Sequence, residues 1–410
     1  MRQLNSSSLI LGFLLTGAAA QAQFSLVWHQ LADHPYAVYS PYMFDVDGRI
    51  FCGDGIVENA PNQYAGALHE YDPYSDTWTP RSACPGADRY GARGFSLEGK
   101  GYMTCGWSNN NPVVQINDTW AYDPSSDSWS QKADFPGGAR YTAISCATST
   151  KGYTGLGYTP YYSDWWEYDP VTDQWTQRAS FPGGSRQSAI SFVIDDQVYV
   201  GCGANSNSTA LNDLWRYDPP SDTWTQLANL PADVRYTSYS FTYEQMGFVV
   251  CGLTVDQFAN FTEVAEVWYY DPATDSWTQM ADFPGLPRGE GASCWSNGLG
   301  YMGMGRSNFG PGPLSANITS EFWRVRPVET SIGEDVSPGT MTVRIVVDGL
   351  MLEQHGTSPM PYTVLDVTGR WTSSGTLAPQ GSAFVRTAGW SPGVYLVQAA
   401  NGRAERVIVP

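Results

Sequence analysis

The chain is poor in cations. Lysine and arginine total 22 against 40 acidic residues, a formal net charge of −18 over 410 residues. Such a surface repels phosphate backbones, which argues against nucleic acid as a partner. Histidine occurs four times, as His29, His34, His69 and His355, and no two have metal-ligand spacing. The seven cysteines contain no CxxC pair, so neither a zinc site nor a bound cofactor is expected. No GxSxG elbow and no phosphate loop occurs. Asp45-Val-Asp-Gly48 echoes a calcium loop without its later Glu, and is read as a hairpin turn. Apolar residues at helical spacing are missing after the N-terminus. The one apolar run, Leu9 to Leu15, is too short to span a bilayer, which takes about 20 residues. With Arg2 before it and Ala20-Gln21-Ala22 after it, residues 1–22 read as a signal peptide, and no transmembrane segment is expected after its cleavage.

What is abundant is glycine (42), tyrosine (25) and tryptophan (16), a mixture suited to short strands and tight turns. One unit recurs: YDPYSDTW from Tyr71, YDPSSDSW from Tyr122, YDPVTDQW from Tyr168, YDPPSDTW from Tyr217 and YDPATDSW from Tyr270. The period is about 50 residues. Asp-Pro ends one strand, because proline lacks a ladder donor, and Trp opens the next with a large surface to bury. A hairpin precedes each unit, which makes four strands, the content of a propeller blade. Trp-bearing strands occur at Trp28, Trp78, Trp129, Trp175, Trp224 and Trp277, and a sixth third strand runs from Phe322 to Pro327. The first Trp strand has no blade before it and the last blade has no Trp strand. The prediction is an all-β, six-bladed propeller over residues 23–327, closed by its N-terminal strand.

These repeats resemble the kelch family, in particular exported bacterial members with FPGG-x-R before each first strand. After a linker at 328–340, residues 341–410 suggest a small antiparallel β-sandwich with strands at Met341–Val347, Tyr362–Asp366, Phe384–Arg386, Val394–Ala399 and Ala404–Val409, and turns at Thr368-Gly369 and Asn401-Gly402. VLDVTGR from Val364, SPGVYLVQ from Ser391 and the terminal NGRAERVIVP resemble a C-terminal sorting domain of the type IX secretion system. That likeness implies a secreted or surface-anchored protein, with the secretion machinery as the partner of residues 341–410.

The candidate site is an arginine register. Proline is followed four residues later by Arg89, Arg140, Arg186, Arg235 and Arg288, while the same offset from Pro35 gives Tyr39. Equal offsets in symmetric blades place these side chains on one ring, with Tyr90, Tyr141 and Tyr236 beside them. The register predicts a binding or adhesion propeller whose channel mouth takes a carboxylate or acidic carbohydrate, or a protein partner, since Arg grips such groups bidentately. The opposing possibility is that each Arg serves the neighbouring blade. The missing double glycines place Cys105, Cys202 and Cys251 at equivalent sites, and Cys146 and Cys294 stand where other blades have Phe, so buried free thiols are expected. No catalytic residue is assigned. Six-bladed kelch proteins that are sialic-acid mutarotases offer an enzymatic alternative, with Arg288-Gly-Glu290 as the matching stretch; a surface scaffold without small ligand is the third.

Overall fold

The computed structural model describes residues 24–329 and 341–409, except 58–64, 74, 109–113, 208, 256–260, 308–316, 347–348, 355–358, 367–370, 379–381, 387–392 and 400–403. The expected signal peptide 1–22, His355, the two expected sandwich turns and most of the expected linker lie outside the described residues. Two compact units result, Leu26–Pro327 and Val328–Val409.

The first unit is a β-propeller. Six four-stranded sheets occur among the described residues of this unit. The first comprises Tyr42–Val46, Arg49–Gly53, Leu68–Asp72 and Thr77–Arg81 in that order, and the second to fifth repeat the pattern. The sixth consists of Ala292–Ser296, Leu299–Gly303, Phe322–Glu329 and then the N-terminal Phe24–Gln30. The innermost strand of every sheet lies against the innermost strands of the sheets on either side, and the first lies against the sixth.

The YDPxxDxW unit is a staple between sheets. In each of the first five sheets the Tyr hydroxyl donates to the second Asp of the motif at 2.7–2.8 Å. The same carboxylate accepts a backbone N–H from the preceding sheet, as Asp173 does from Ala133 at 2.9 Å. The Trp indole then donates to the carbonyl of that same residue, Trp175 to Ala133 at 2.9 Å. These Asp residues adopt a left-handed φ of 48–53°, which Asp tolerates better than most residues. The sixth sheet has lost Tyr-Asp, and the indole nitrogen of its Trp28 has no partner.

Packing between sheets follows volume complementarity. A Cβ at Gly101 would stand 2.0 Å from Phe44 of the sheet before it, and one at Gly247 would stand 2.1 Å from Phe192. Gly152 meets Phe95 and Gly300 meets Phe241 in the same way. The equivalent positions of the remaining two sheets, by pairing with the Tyr of the third strand, are Val198 and Ile50. There the facing Phe is replaced by Cys146 and Cys294, which pack into the clusters containing Val198 and Ile50. Large-on-glycine has become small-on-β-branched, twice. All seven cysteines are unpaired. Cys146→Phe alone should destabilise by about 1–3 kcal/mol through overpacking. Adding Val198→Gly should recover most of that loss in a chemical-denaturation cycle, and additive losses would contradict the pairing.

The second unit pairs Met341–Val346, Gly349–Gln354 and Ser382–Arg386 in one antiparallel sheet, and Trp371–Leu377, Met360–Asp366, Gly393–Ala399 and Ala404–Val409 in another. Leu350, Leu352, Tyr362, Val364, Val385 and Val397 are buried together. The sequence pattern missed two of these seven strands. Gly349–Gln354 and Trp371–Leu377 carry polar residues and glycine, which blur the period-two signal.

Candidate functional site

The five register arginines are structural. Each is no more than 1% exposed. Each guanidinium is paired with an acid from the start of its own sheet's third strand: Arg89 with Asp118, Arg140 with Asp164, Arg186 with Asp213, Arg235 with Glu266 and Arg288 with Glu321. Each Nε donates to the carbonyl two residues earlier, at 2.9 Å in Arg89 and Arg288. The same acid accepts the indole N–H of a Trp two residues on, Trp120, Trp166, Trp215, Trp268 or Trp323, at 2.8–3.2 Å. The expected ring of ligand-facing guanidiniums is therefore corrected: these cations hold Arg–acid–Trp triads inside the scaffold and expose nothing to a ligand.

The exception in the first sheet is corrected too. The carbonyls of Arg89, Arg140, Arg186, Arg235 and Arg288 accept the N–H groups of Gly55, Gly106, Gly157, Gly203 and Gly252, and the carbonyl of Val38 accepts that of Gly305. Val38, not Tyr39, is thus the sixth member, because the loop after Pro35 is one residue shorter. The acid becomes Ala67 and the Trp becomes His69 in the same sheet, so all three members of the triad are replaced together.

Two positions beyond the arginines, the backbone forms a closed circuit. Gly91 donates to Ser40, Thr142 to Gly91, Ser188 to Thr142, Thr237 to Ser188, Glu290 to Thr237 and Ser40 to Glu290, at 2.6–3.3 Å. All six residues have φ between 52° and 65°, the left-handed region. Between the arginines and this circuit lies the row Tyr39, Tyr90, Tyr141, Gln187, Tyr236 and Gly289. Its tyrosines form an aromatic arc. Tyr90 meets Tyr141 edge-on at 5.6 Å, Trp107 meets Tyr141 at 4.7 Å, Tyr158 meets Tyr141 at 5.4 Å and Tyr161 meets Tyr158 at 4.8 Å. Burial, then the neighbouring phenols and Glu290, pushes the Tyr141 phenol up to about 12, so it stays a hydrogen-bond donor at neutral pH.

Glu290 is the one charged member of the circuit. Arg306 grips it bidentately at 2.6 and 3.0 Å and lies 4.7 Å over the Tyr39 ring. Arg93 opens the innermost strand of the second sheet, at a position occupied elsewhere by Tyr42, Ile144, Ile190, Tyr239 and Ala292. Burial lowers its pKa, and the carboxylate acting against that is Glu290, which is not within ion-pair distance of it. Its Nη1 donates to the Ala92 carbonyl at 3.3 Å. Arg306 is thus the ion-pair partner of Glu290, and Arg93 lies within electrostatic reach of the same carboxylate. Arg93, Arg306, Trp107, Tyr158 and Tyr161 were not among the residues expected from the sequence. The signal for Arg93 was available, as the sole charge in its row of the repeat alignment.

A family model described as the Attractin/LZTR1 β-propeller matches residues 50–293. A solved structure titled "Structure of YjhT" is similar with a TM-score of 0.61 and 16% identity, covering 71% of this chain and 96% of that chain. At that identity the likeness is one of fold. No curated protein matches the chain.

Proposed function

The chain belongs to the Attractin/LZTR1 β-propeller family, and from that premise we propose that it is a six-bladed, non-catalytic binding propeller, closed by its N-terminal strand, which recognises a carbohydrate bearing an anionic group. The closed circuit of six backbone hydrogen bonds supports the blade count. The observation that carries the ligand is Arg93, a half-buried guanidinium with no carboxylate at ion-pair distance among the described residues, beside an aromatic arc. A half-buried charge without an ion-pair partner is costly, and an anionic ligand would relieve it. Aromatic faces suit the apolar faces of sugar rings, and phenols supply donors for their hydroxyls. Tyr90, Tyr141 and Tyr236 keep the binding role that the sequence suggested, while the anion contact passes from the register arginines to Arg93.

Glycan-array screening followed by calorimetry tests this. Arg93→Met should weaken an anionic glycan at least about tenfold and leave a neutral one unaffected, and Tyr141→Ala should weaken both. Equal affinity for all three proteins would refute the site.

A second reading rests on Glu290. Held by Arg306 in the circuit, it is a carboxylate positioned for proton transfer, as a mutarotase of the sialic-acid type would need. Anomer interconversion of N-acetylneuraminate followed by NMR decides it, since binding without acceleration excludes catalysis. We further propose secretion through the N-terminal segment, with residues 341–410 as the sorting module. A reporter fused to those residues should reach the outer surface of a type IX-competent cell, and retention inside would refute it.

A further inference from the structure

Each residue of the row Tyr39, Tyr90, Tyr141, Gln187, Tyr236 and Gly289 pairs across a short antiparallel bridge with one residue of a second row. The partners are, in order, Ile56, Trp107, Tyr158, Ala204, Leu253 and Arg306. Beside the first, fourth and fifth sheets the partner is aliphatic and at most 7% exposed. Packing at this place therefore asks only for a small or aliphatic side chain. Trp107 and Tyr158 exceed that requirement, and both are partly exposed. The indole nitrogen of Trp107 is buried without a partner, so the part of its ring that meets solvent is carbon.

This excess is confined to the second and third sheets, and there it is contiguous. Trp107 meets Tyr141 at 4.7 Å, Tyr141 meets Tyr158 at 5.4 Å and Tyr158 meets Tyr161 at 4.8 Å. The Gln187 amide continues the line, donating to the Tyr161 hydroxyl at 3.3 Å. In the sixth sheet the same second row carries Arg306 on Glu290. Carbon surface on one side and charge on the other call for a ligand that has both. A monosaccharide is comparable in size to one aromatic side chain, so it covers one or two of these rings and leaves the others in water. Aromatic surface that packing does not need marks a place that a ligand covers.

We propose that the ligand is an oligosaccharide, with its anionic sugar at Arg93 and its neutral sugars continuing over Trp107, Tyr158 and Tyr161. This rests on the anionic-carbohydrate reading above and adds the ligand's length and direction. The continuing sugars are neutral because the register arginines beside these rings, Arg89 and Arg140, are buried on Asp118 and Asp164. A second anionic sugar there would gain no ion pair from them. A neutral sugar instead packs its apolar face on a ring, and the phenols of Tyr158 and Tyr161 serve its hydroxyls. Affinity added in this way comes from covered surface, so salt should leave it unchanged while weakening the contact at Arg93.

The test is calorimetry on the full chain with two pairs of probes, N-acetylneuraminate against α2,3-sialyllactose and glucuronate against a xylotriose bearing one glucuronate. In the pair that binds, the oligosaccharide should be at least about tenfold tighter than its monosaccharide. Trp107→Leu combined with Tyr158→Ala installs the residues that the fifth and fourth sheets carry at this place, and its unfolding transition checks that it folds. That double variant should bring the oligosaccharide down to the affinity of the monosaccharide, and leave the monosaccharide within about twofold. Arg93→Met should weaken both members of the pair by the same factor. Equal affinity for the two members, or a double variant that keeps the gain, would overturn the extension and leave the anion site standing. Failure of all four probes to bind would remove the anion site and the extension with it.

Discussion

Arg140→Met should lower the stability of the propeller by about 2–4 kcal/mol, because it leaves the half-buried Asp164 without its cation. Arg140 makes more than an ion pair. Its Nη1 also donates to the Leu156 carbonyl at 2.9 Å, and its guanidinium lies 3.5 Å over the Tyr162 ring. Removal orphans several acceptors at once, and the Asp164 carboxylate would be left with only the Trp166 indole among the contacts described above. Chemical denaturation measures the effect. Ligand affinity at the mouth should be unchanged in whatever fraction stays folded. Arg93→Met should do the reverse, abolishing anion preference at little cost in stability, since no carboxylate among the described residues is paired with it. A stable Arg140→Met protein that no longer binds would return the register arginines to the ligand.

The contrast shows which parts of the molecule were legible in sequence. The YDPxxDxW copies place the strands, because Asp-Pro and Trp act locally and at a constant offset. The N-terminal strand beside Phe322–Glu329 follows from counting Trp strands. The arginines misled because symmetry reports only that five residues are equivalent, not which way they point. Their acids at Asp118, Asp164, Asp213, Glu266 and Glu321 are equally periodic, and pairing the two series in the alignment would have revealed the triads. The one-residue deletion after Pro35 hid Val38 behind Tyr39, since a fixed offset cannot detect a shortened loop. Arg93 and the Glu290–Arg306 pair break the repeat, and residues that break a repeat are where an off-axis ligand can be distinguished from scaffold.

The first sheet breaks the repeat once more, at Asp54, and there the expected effect depends on pH. Cys105, Leu156, Cys202, Cys251 and Met304 hold this place in the other sheets, all with left-handed φ between 54° and 64°. Asp54 is 5% exposed, and burial raises its pKa to about 7, with Arg89 opposing the rise and Asp88 and Asp118 adding to it. An acid whose pKa is raised on folding keeps its proton in the folded state after the unfolded chain, at 3.8, has lost it. Stability is therefore greatest below pH 3.8 from this group, declines as pH rises toward 7, and is flat beyond. The shift amounts to about 4 kcal/mol as an upper bound. Asp54→Asn removes the ionisation and keeps both an acceptor for the Arg89 backbone and a residue that tolerates φ of 55°. The variant should be more stable than the unaltered chain at pH 8, with the gap closing toward pH 4. Denaturation midpoints across that range test this, and a gap that does not change with pH would show that Asp54 ionises alike in both states.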